Sequence, residues 1–217
     1  MSAKDTVLAR IREALADVPS AETAEDVAVP RSYARSHAGP DVVALFAERV
    51  ADYRARVTRA GSADEARQAV AEALAERGVG RLVVPEGFPG ELLPEGAWEV
   101  LSDTPPLTVE ALDGADAVLT TAARAIAVTG TVVLDAGPGQ GRRALTLLPD
   151  FHLCVVREEQ VAADVPDALA LLDPARPLTF ISGPSATSDI ELDRIEGVHG
   201  PRTLHVIIVS DLPPTTP

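Results

Sequence analysis

Lysine, cysteine, aromatic side chains and net positive charge are all scarce in this chain, and each shortage removes a class of chemistry. Lys4 is the one lysine in 217 residues. A Walker-type phosphate loop needs a Lys after its glycines, and Schiff-base catalysis needs one in a pocket, so neither is available unless Lys4 folds back. Cys154 is the one cysteine. By itself it cannot make an intrachain disulfide, a four-Cys zinc site or a Cys-ligated iron–sulfur cluster. Aromatics are 3% of the chain, which leaves Ala, Val, Leu and Ile to fill the core. With 19 basic and 33 acidic side chains, the net charge is −14. That balance argues against nucleic acid and against an anionic membrane surface as partners. No stretch approaches the ~20 apolar residues of a membrane span, and the charged N-terminus is unlike a signal peptide. The expected location is the cytoplasm.

What is present fits a packed globular protein: 46% of residues are hydrophobic and 24% charged. Val7, Leu8, Ile11 and Leu15 make one helical stripe. The stretch from Pro19 to Pro40 has no periodicity. Asp41 is a candidate N-cap for a helix with apolar positions at Val42, Leu45, Phe46, Val50, Tyr53 and Val57. Ser62 and Glu65 have capping-box spacing, and Gly78 would end the helix they open. Beyond it, short apolar runs recur between Gly, Pro and Asp: Leu82–Val84, Val100–Leu101, Val118–Leu119, Thr131–Leu134, Leu153–Val156, Leu178–Ile181 and Leu204–Val209. Buried strands look like this. With a helical stretch at Asp167–Leu172, the pattern predicts an α/β layer fold with a largely parallel sheet. Leu145–Leu148 reads as a further extended run.

Polar chemistry concentrates in Ser182–Arg202. Ser182, Ser185, Thr187 and Ser188 lie close to Asp189 and Glu191, and Gly183 permits a tight turn that hydroxyls and free amides could line around an anion. The segment should lie outside the carboxyl ends of the strands, where α/β sheets collect ligands. Ser188 and Glu191 also have capping-box spacing, so a helix entry is the alternative. His199 sits between glycines, with Gly200, Pro201 and Arg202 after it, and can serve as acid or base or simply bond to backbone. Asp189, Glu191 and His199 match no strong metal spacing, so no metal is assigned. His205 reads as a core or pairing residue, and Cys154 as a small buried one.

A second cluster runs from Thr129, Gly130 and Thr131 to Gly137-Pro-Gly-Gln-Gly-Arg142. Gly130 could mark a strand bend or a place where a ligand meets backbone. The glycine run fails as a dinucleotide loop because Pro138 interrupts it and Arg142 takes the place of its third glycine. It reads instead as a connection, with Gln140 and Arg142 as anion contacts.

Four ordered runs carry a family resemblance: AIAVTGTVVL (Ala125–Leu134), LLPDFHLCVV (Leu147–Val156), ISGPSATSDIEL (Ile181–Leu192) and GVHGPRTLHVIIV (Gly197–Val209). Together they resemble the lactate utilization protein C family, of the LUD-domain group, over roughly Ala115–Val209. The resemblance implies a fold of the ribose-phosphate isomerase and CoA-transferase-like (NagB/RpiA/CoA transferase-like) type. Taken with the pattern along the chain, the expected division is an N-terminal helical extension at 1–60, a LUD-type α/β domain at 61–212 and a loose tail at 213–217. It also implies a part in oxidising L-lactate to pyruvate beside partner proteins that carry the iron–sulfur clusters, with no cofactor on this chain. Relatives commonly have Glu before the TGT motif. Here the position is Val128, which takes that carboxylate away from any thioester mechanism.

Two functions follow from these readings. In the first, the chain is an accessory or assembly component of a lactate-oxidising system whose motif loops bind a small anionic metabolite. In the second, it is a free-standing enzyme in which Asp189 or Glu191 and His199 act as acid and base, with the Ser182–Ser188 loop and Arg202 holding the anion.

Overall fold

Local capping chemistry sets where the helices begin. The computed structural model describes residues 2–19, 23, 36–184, 186–187, 195–196 and 200–211. Ser2 and Asp5 form a reciprocal capping box that opens α1 (Ala3–Ala14), a helix with no buried side chain. This helix belongs to a unit spanning residues 1–34; a second unit spans residues 35–217. In the second unit, the Asp41 carboxylate accepts from Ala44 N at 2.9 Å and starts α2 (Val42–Asp52), which buries Phe46 and Val50. The sequence carries this helix through Val57. It stops at Asp52 because Arg54 takes φ 64°, outside helical space, and the chain re-emerges as β1 (Arg56–Ala60). Ser62 caps α3 (Ala63–Glu76), and Gly78, at φ 62°, turns the chain away from it.

Next come β2 (Arg81–Val83), β3 (Glu99–Leu101), α4 (Val109–Asp113), β4 (Ala117–Thr121), β5 (Arg124–Ile126) and β6 (Thr131–Leu134). They are followed by β7 (Phe151–Arg157), β8 (Val161–Ala162), α5 (Val165–Leu169), β9 (Thr179–Ile181), β10 (Ala186–Thr187), β11 (Ile195–Glu196) and β12 (Thr203–Val209). The extended run expected at Leu145–Leu148 is instead a 3-10 turn over Arg143–Thr146 that buries Leu145 and Thr146.

Six strands make one sheet in the order β1-β12-β7-β4-β2-β3, and every neighbouring pair is parallel. The expectation of an α/β fold with a largely parallel sheet is met. The pairing of β1 with β12 puts residues 56–60 inside this sheet, ahead of the expected domain start at 61. Strands β7 and β12 are buried on both faces, as the centre of a covered parallel sheet must be. Leu153, Val155 and Ile207 face α3, packing with Val70 and Leu74. Cys154, Val156, Val206 and Ile208 face the other way, onto Phe46 and Val50 of α2 and onto Ala125, Val132 and Leu134. Those last three belong to a second sheet, ordered β8-β5-β6-β9, in which β6 runs antiparallel to both neighbours. Each large aliphatic side chain buried this way stabilises the fold by about 1.5–3 kcal/mol. These contacts rest mostly on aliphatic side chains, with Phe46 and Phe151 the buried aromatic exceptions, in keeping with the low aromatic content.

Candidate functional site

The described start of the polar segment after β9, Ser182 to Pro184, does not lie at the carboxyl edge of the large sheet. Strand β9 belongs to the second sheet, and the chain beyond it returns to the amino end of β12. Ser182 and Gly183 therefore meet the starts of β7 and β12, which stand in register at Phe151 and Thr203. The expected location fails because it assigned β9 to the parallel sheet.

A cavity of about 250 Å³ lies there, lined by Arg143, Thr146, His152, Ser182, Gly183 and Leu204, with Phe180, Ile181, Pro184 and Pro201 as apolar wall. A series of three hydroxyls ends on it at Ser182. Thr129 Oγ1 lies 2.7 Å from Thr131 Oγ1, which lies 2.8 Å from Ser182 Oγ. Antiparallel pairing of β6 with β9 brings Ser182 beside Thr131 across 51 residues of sequence. On the opposite wall, Arg143 Nη1 donates to Thr146 Oγ1 at 3.0 Å and to Thr146 O at 3.3 Å. Partial burial draws the Arg143 guanidinium below its ordinary pKa. His152 is buried, and its Nε2 lies 2.8 Å from Thr120 Oγ1. Burial, reinforced by the Arg143 charge, lowers its pKa to about 4, so the ring is neutral at pH 7. The cavity thus offers one cation, a neutral imidazole, hydroxyl groups and an apolar wall. This set suits a small carboxylate that also carries a hydroxyl or keto oxygen.

Of the residues singled out from sequence, Ser182 and Gly183 line this cavity, and Thr129 and Thr131 stand behind Ser182 in the hydroxyl chain. Gly130 serves packing: at φ 57°, a Cβ on it would stand 2.6 Å from the Arg49 carbonyl carbon, so α2 approaches only a glycine. Arg142 is committed elsewhere. Its Nε and Nη2 clamp Asp103 at 2.8 and 3.0 Å, and Nη2 also donates to Leu107 O. Burial raises the Asp103 pKa, but the Arg142 bond and the Leu107 amide outweigh it and hold the carboxyl below its ordinary value. Arg202 Nε donates to Asp150 Oδ1 at 2.6 Å, and Gly200 precedes it at φ 139°. Gln140 lines a different cavity, at the far edge of the sheet. Thr187 lies in β10, paired antiparallel with Ile195 of β11. Ser185, Ser188, Asp189, Glu191 and His199 lie outside the described residues.

The glycine run is not a phosphate cradle. Gly137 N is taken by Asp135 Oδ1, Gly139 N by Glu86 O, and the amides of Gln140 and Gly141 by Gly137 O. Val128 packs against the cluster of Ile126, Val133 and Ala168. Arg143, Thr146 and His152 escaped the sequence reading. The available signal was a polar ring at His152 within the otherwise apolar strand FHLCVV. Among the described residues, no group of three or more His, Cys, Asp and Glu side chains is placed to hold a metal. Nor is any helix among them long and apolar enough to cross a membrane.

Comparison with known proteins bears on this same region. The LUD domain family model matches residues 107–209. Lactate utilization protein C of Deinococcus radiodurans is 50% identical over 173 residues, covering 78% of this chain and 80% of that protein. The proteins of the same name from Halalkalibacterium halodurans and Exiguobacterium sp. are 37% and 34% identical over 112 and 123 residues. Those matches cover 48% and 52% of the relatives, so the chain aligns with about half the length of each. The crystal structure of a DUF162 family protein from Deinococcus radiodurans superposes with a TM-score of 0.66 at 45% identity, over 78% of this chain and 96% of that one. Every residue lining the cavity falls within the span matched by the LUD model.

Proposed function

Since the chain belongs to the lactate utilization protein C family of LUD-domain proteins, we propose that it serves lactate utilization as an accessory subunit of an L-lactate-oxidising system. In this reading the iron–sulfur clusters sit on partner proteins, and this chain binds the small hydroxy or keto acid. The observation that carries the proposal is the cavity joining Arg143, His152 and Ser182, which matches the chemistry of a three-carbon acid. Arg143 holds the carboxylate. Ser182, polarised by Thr131, and the neutral His152 ring meet the 2-oxygen, and the wall of Ile181 and Leu204 takes the methyl group. The division of labour is supported by Cys154, whose thiol burial pushes up to about 12, so the chain offers no ready thiolate to a cluster.

The test has two arms. Tagged chain should co-purify with iron–sulfur partners, and its deletion should lower lactate oxidation in cells. Lactate or pyruvate should also raise the melting temperature of the purified chain by mass action. An Arg143→Met variant should weaken that binding by about ten- to a hundredfold, since a hydrogen bond to a charged group is lost. No association, together with undiminished lactate oxidation in the absence of the chain, would refute the proposal.

A further inference from the structure

The carboxyl edge of the large sheet holds a second cavity, of about 610 Å³. Its position follows from topology. From β2 the chain steps outward to β3, whereas from β4 it proceeds the other way, to β7 and then β12. The connections leaving β2 and β4 therefore diverge, and open α/β sheets place their ligands in the crevice such a divergence creates. Gly87 and Pro89, which follow β2, form one lip; Thr121 to Arg124, at the end of β4, form the other.

Two side chains in this cavity are left with unused donors. Gln140 is 5% exposed, and its Oε1 accepts from Asp135 N at 2.6 Å, while its Nε2 donates to no described residue. An amide nitrogen that lines a cavity and has no protein partner is free to donate to a ligand or to water. Arg124 is half-buried on the same wall, and its guanidinium makes neither an ion pair nor a hydrogen bond with any described residue. The carboxylates nearby are already occupied. Asp135 Oδ2 pairs with Arg176 Nε at 3.2 Å while its Oδ1 takes Gly137 N, and Asp173 Oδ1 takes Ala175 N. Arg157 completes the cationic side and pairs with Glu159. Facing these groups, Leu171, Leu172 and Pro89 make an apolar surface.

The loop that delivers Gln140 is built rather than incidental. Ala136 is held at φ 56°, a left-handed conformation that costs a residue with a Cβ on the order of 1 kcal/mol. Arg176 Nε donates to Asp135 O at 3.1 Å, and Thr121 N donates to Gly139 O at 2.8 Å. Gln160, bonded to Ala122 O and to Arg157 N, fixes the opposite lip.

We propose that this carboxyl-edge cavity is a second ligand site, which binds an organic phosphate of nucleotide size. Arg124 and Arg157 hold the phosphate oxygens and Gln140 Nε2 donates to one of them, while the body of the ligand lies on Leu171, Leu172 and Pro89. Guanidinium groups suit phosphate because their fork of N–H donors matches its oxygens. A three-carbon acid would leave most of this volume empty, so the site is distinct from the Arg143 cavity and does not rest on the lactate reading.

Calorimetric titration of the full chain with ADP and with inorganic pyrophosphate tests the proposal. ADP should bind saturably, and pyrophosphate more weakly because it lacks a body to cover the apolar wall. Arg124→Ala should weaken ADP binding by about ten- to a hundredfold at an unchanged apo melting temperature. Arg124→Lys should recover part of the loss, whereas Arg143→Met should leave ADP binding as it was. No saturable ADP binding at millimolar concentration would overturn the assignment, as would ADP affinity unchanged in Arg124→Ala. Pyrophosphate binding as tight as ADP would overturn the role given to the apolar wall.

Discussion

Thr120 ties together two buried side chains of the neighbouring strand. Its Oγ1 stands 2.8 Å from His152 Nε2, and it also hydrogen-bonds the Cys154 thiol, partly offsetting the burial that raises that thiol to about 12. At pH 8 the thiolate fraction of such a group is on the order of one in ten thousand, and only the thiolate reacts. Labelling of the native chain with a disulfide reagent should therefore follow the rate of unfolding, and full reaction should appear only in denaturant. Immediate stoichiometric labelling in buffer would contradict the burial of Cys154. Thr120→Val keeps the volume but leaves the imidazole nitrogen without its partner, at a cost of about 1–3 kcal/mol measurable by urea denaturation. At this scale the sequence was informative about Cys154 and His205, because a small thiol or a lone ring in an apolar strand has few alternatives to the core. It said little of Arg143, whose role depends on where a 3-10 turn aims the side chain.

The elements most legible in the sequence are the strands bounded by Gly, Pro and Asp and buried on both faces, since local composition and tertiary environment agree there. Strands β5 and β8 were not legible: at three and two residues they carry no pattern of their own and exist through pairing with neighbours. The break between α2 and β1 was hidden for another reason, as it turns on a positive φ at Arg54, where the residue type gives no warning. The hydroxyl chain is a mixed case. Thr129, Thr131 and Ser182 each stood out, but their convergence depends on the register of β6 against β9. Loop glycines allow a direct test of such tertiary constraints. Gly139 adopts φ 71°, and a Cβ there would lie 2.8 Å from Thr121 Oγ1 and 3.2 Å from Gly87 O. Gly139→Ala should cost about 2 kcal/mol or more, from backbone strain and the clash together. Gly90 has an ordinary φ and open space around it, so Gly90→Ala should change stability by no more than about 0.5 kcal/mol. Urea midpoints of the two variants, compared at equal slopes, separate these outcomes.

For the molecule as a whole, two imidazoles inside the central sheet set the response to acid. His152 on β7 and His205 on β12 both have pKa values lowered to about 4. Burial is the first cause in each; Arg143 adds to it at His152, while at His205 Arg56 and Arg77 add to it and Glu76 opposes it. Unfolding returns both rings to water, where an imidazole titrates near 6.5. Between those two values the unfolded chain binds more protons than the folded one, so stability must rise with pH there. The contribution of neutral, buried imidazoles is thus complete above about pH 6.5 and is lost as pH falls toward 4; for His152 the limit is about 3 kcal/mol. The acidic surface works against this trend. With a net charge of −14 at pH 7, mild acid first relieves self-repulsion and favours the compact state. Partnered carboxylates such as Asp103, held low by Arg142, release their stabilisation only at lower pH, near the ordinary carboxylate range. Because the two histidines lie in the sheet that organises the fold, their titration should appear in global unfolding. Urea midpoints should fall between pH 7 and pH 5, and His152→Gln, which keeps a polar group near Thr120 without a titrating ring, should reduce that fall. A midpoint that is flat or rising across the same interval, with wild type and variant in parallel, would show that the imidazoles are not neutral and buried in the folded state.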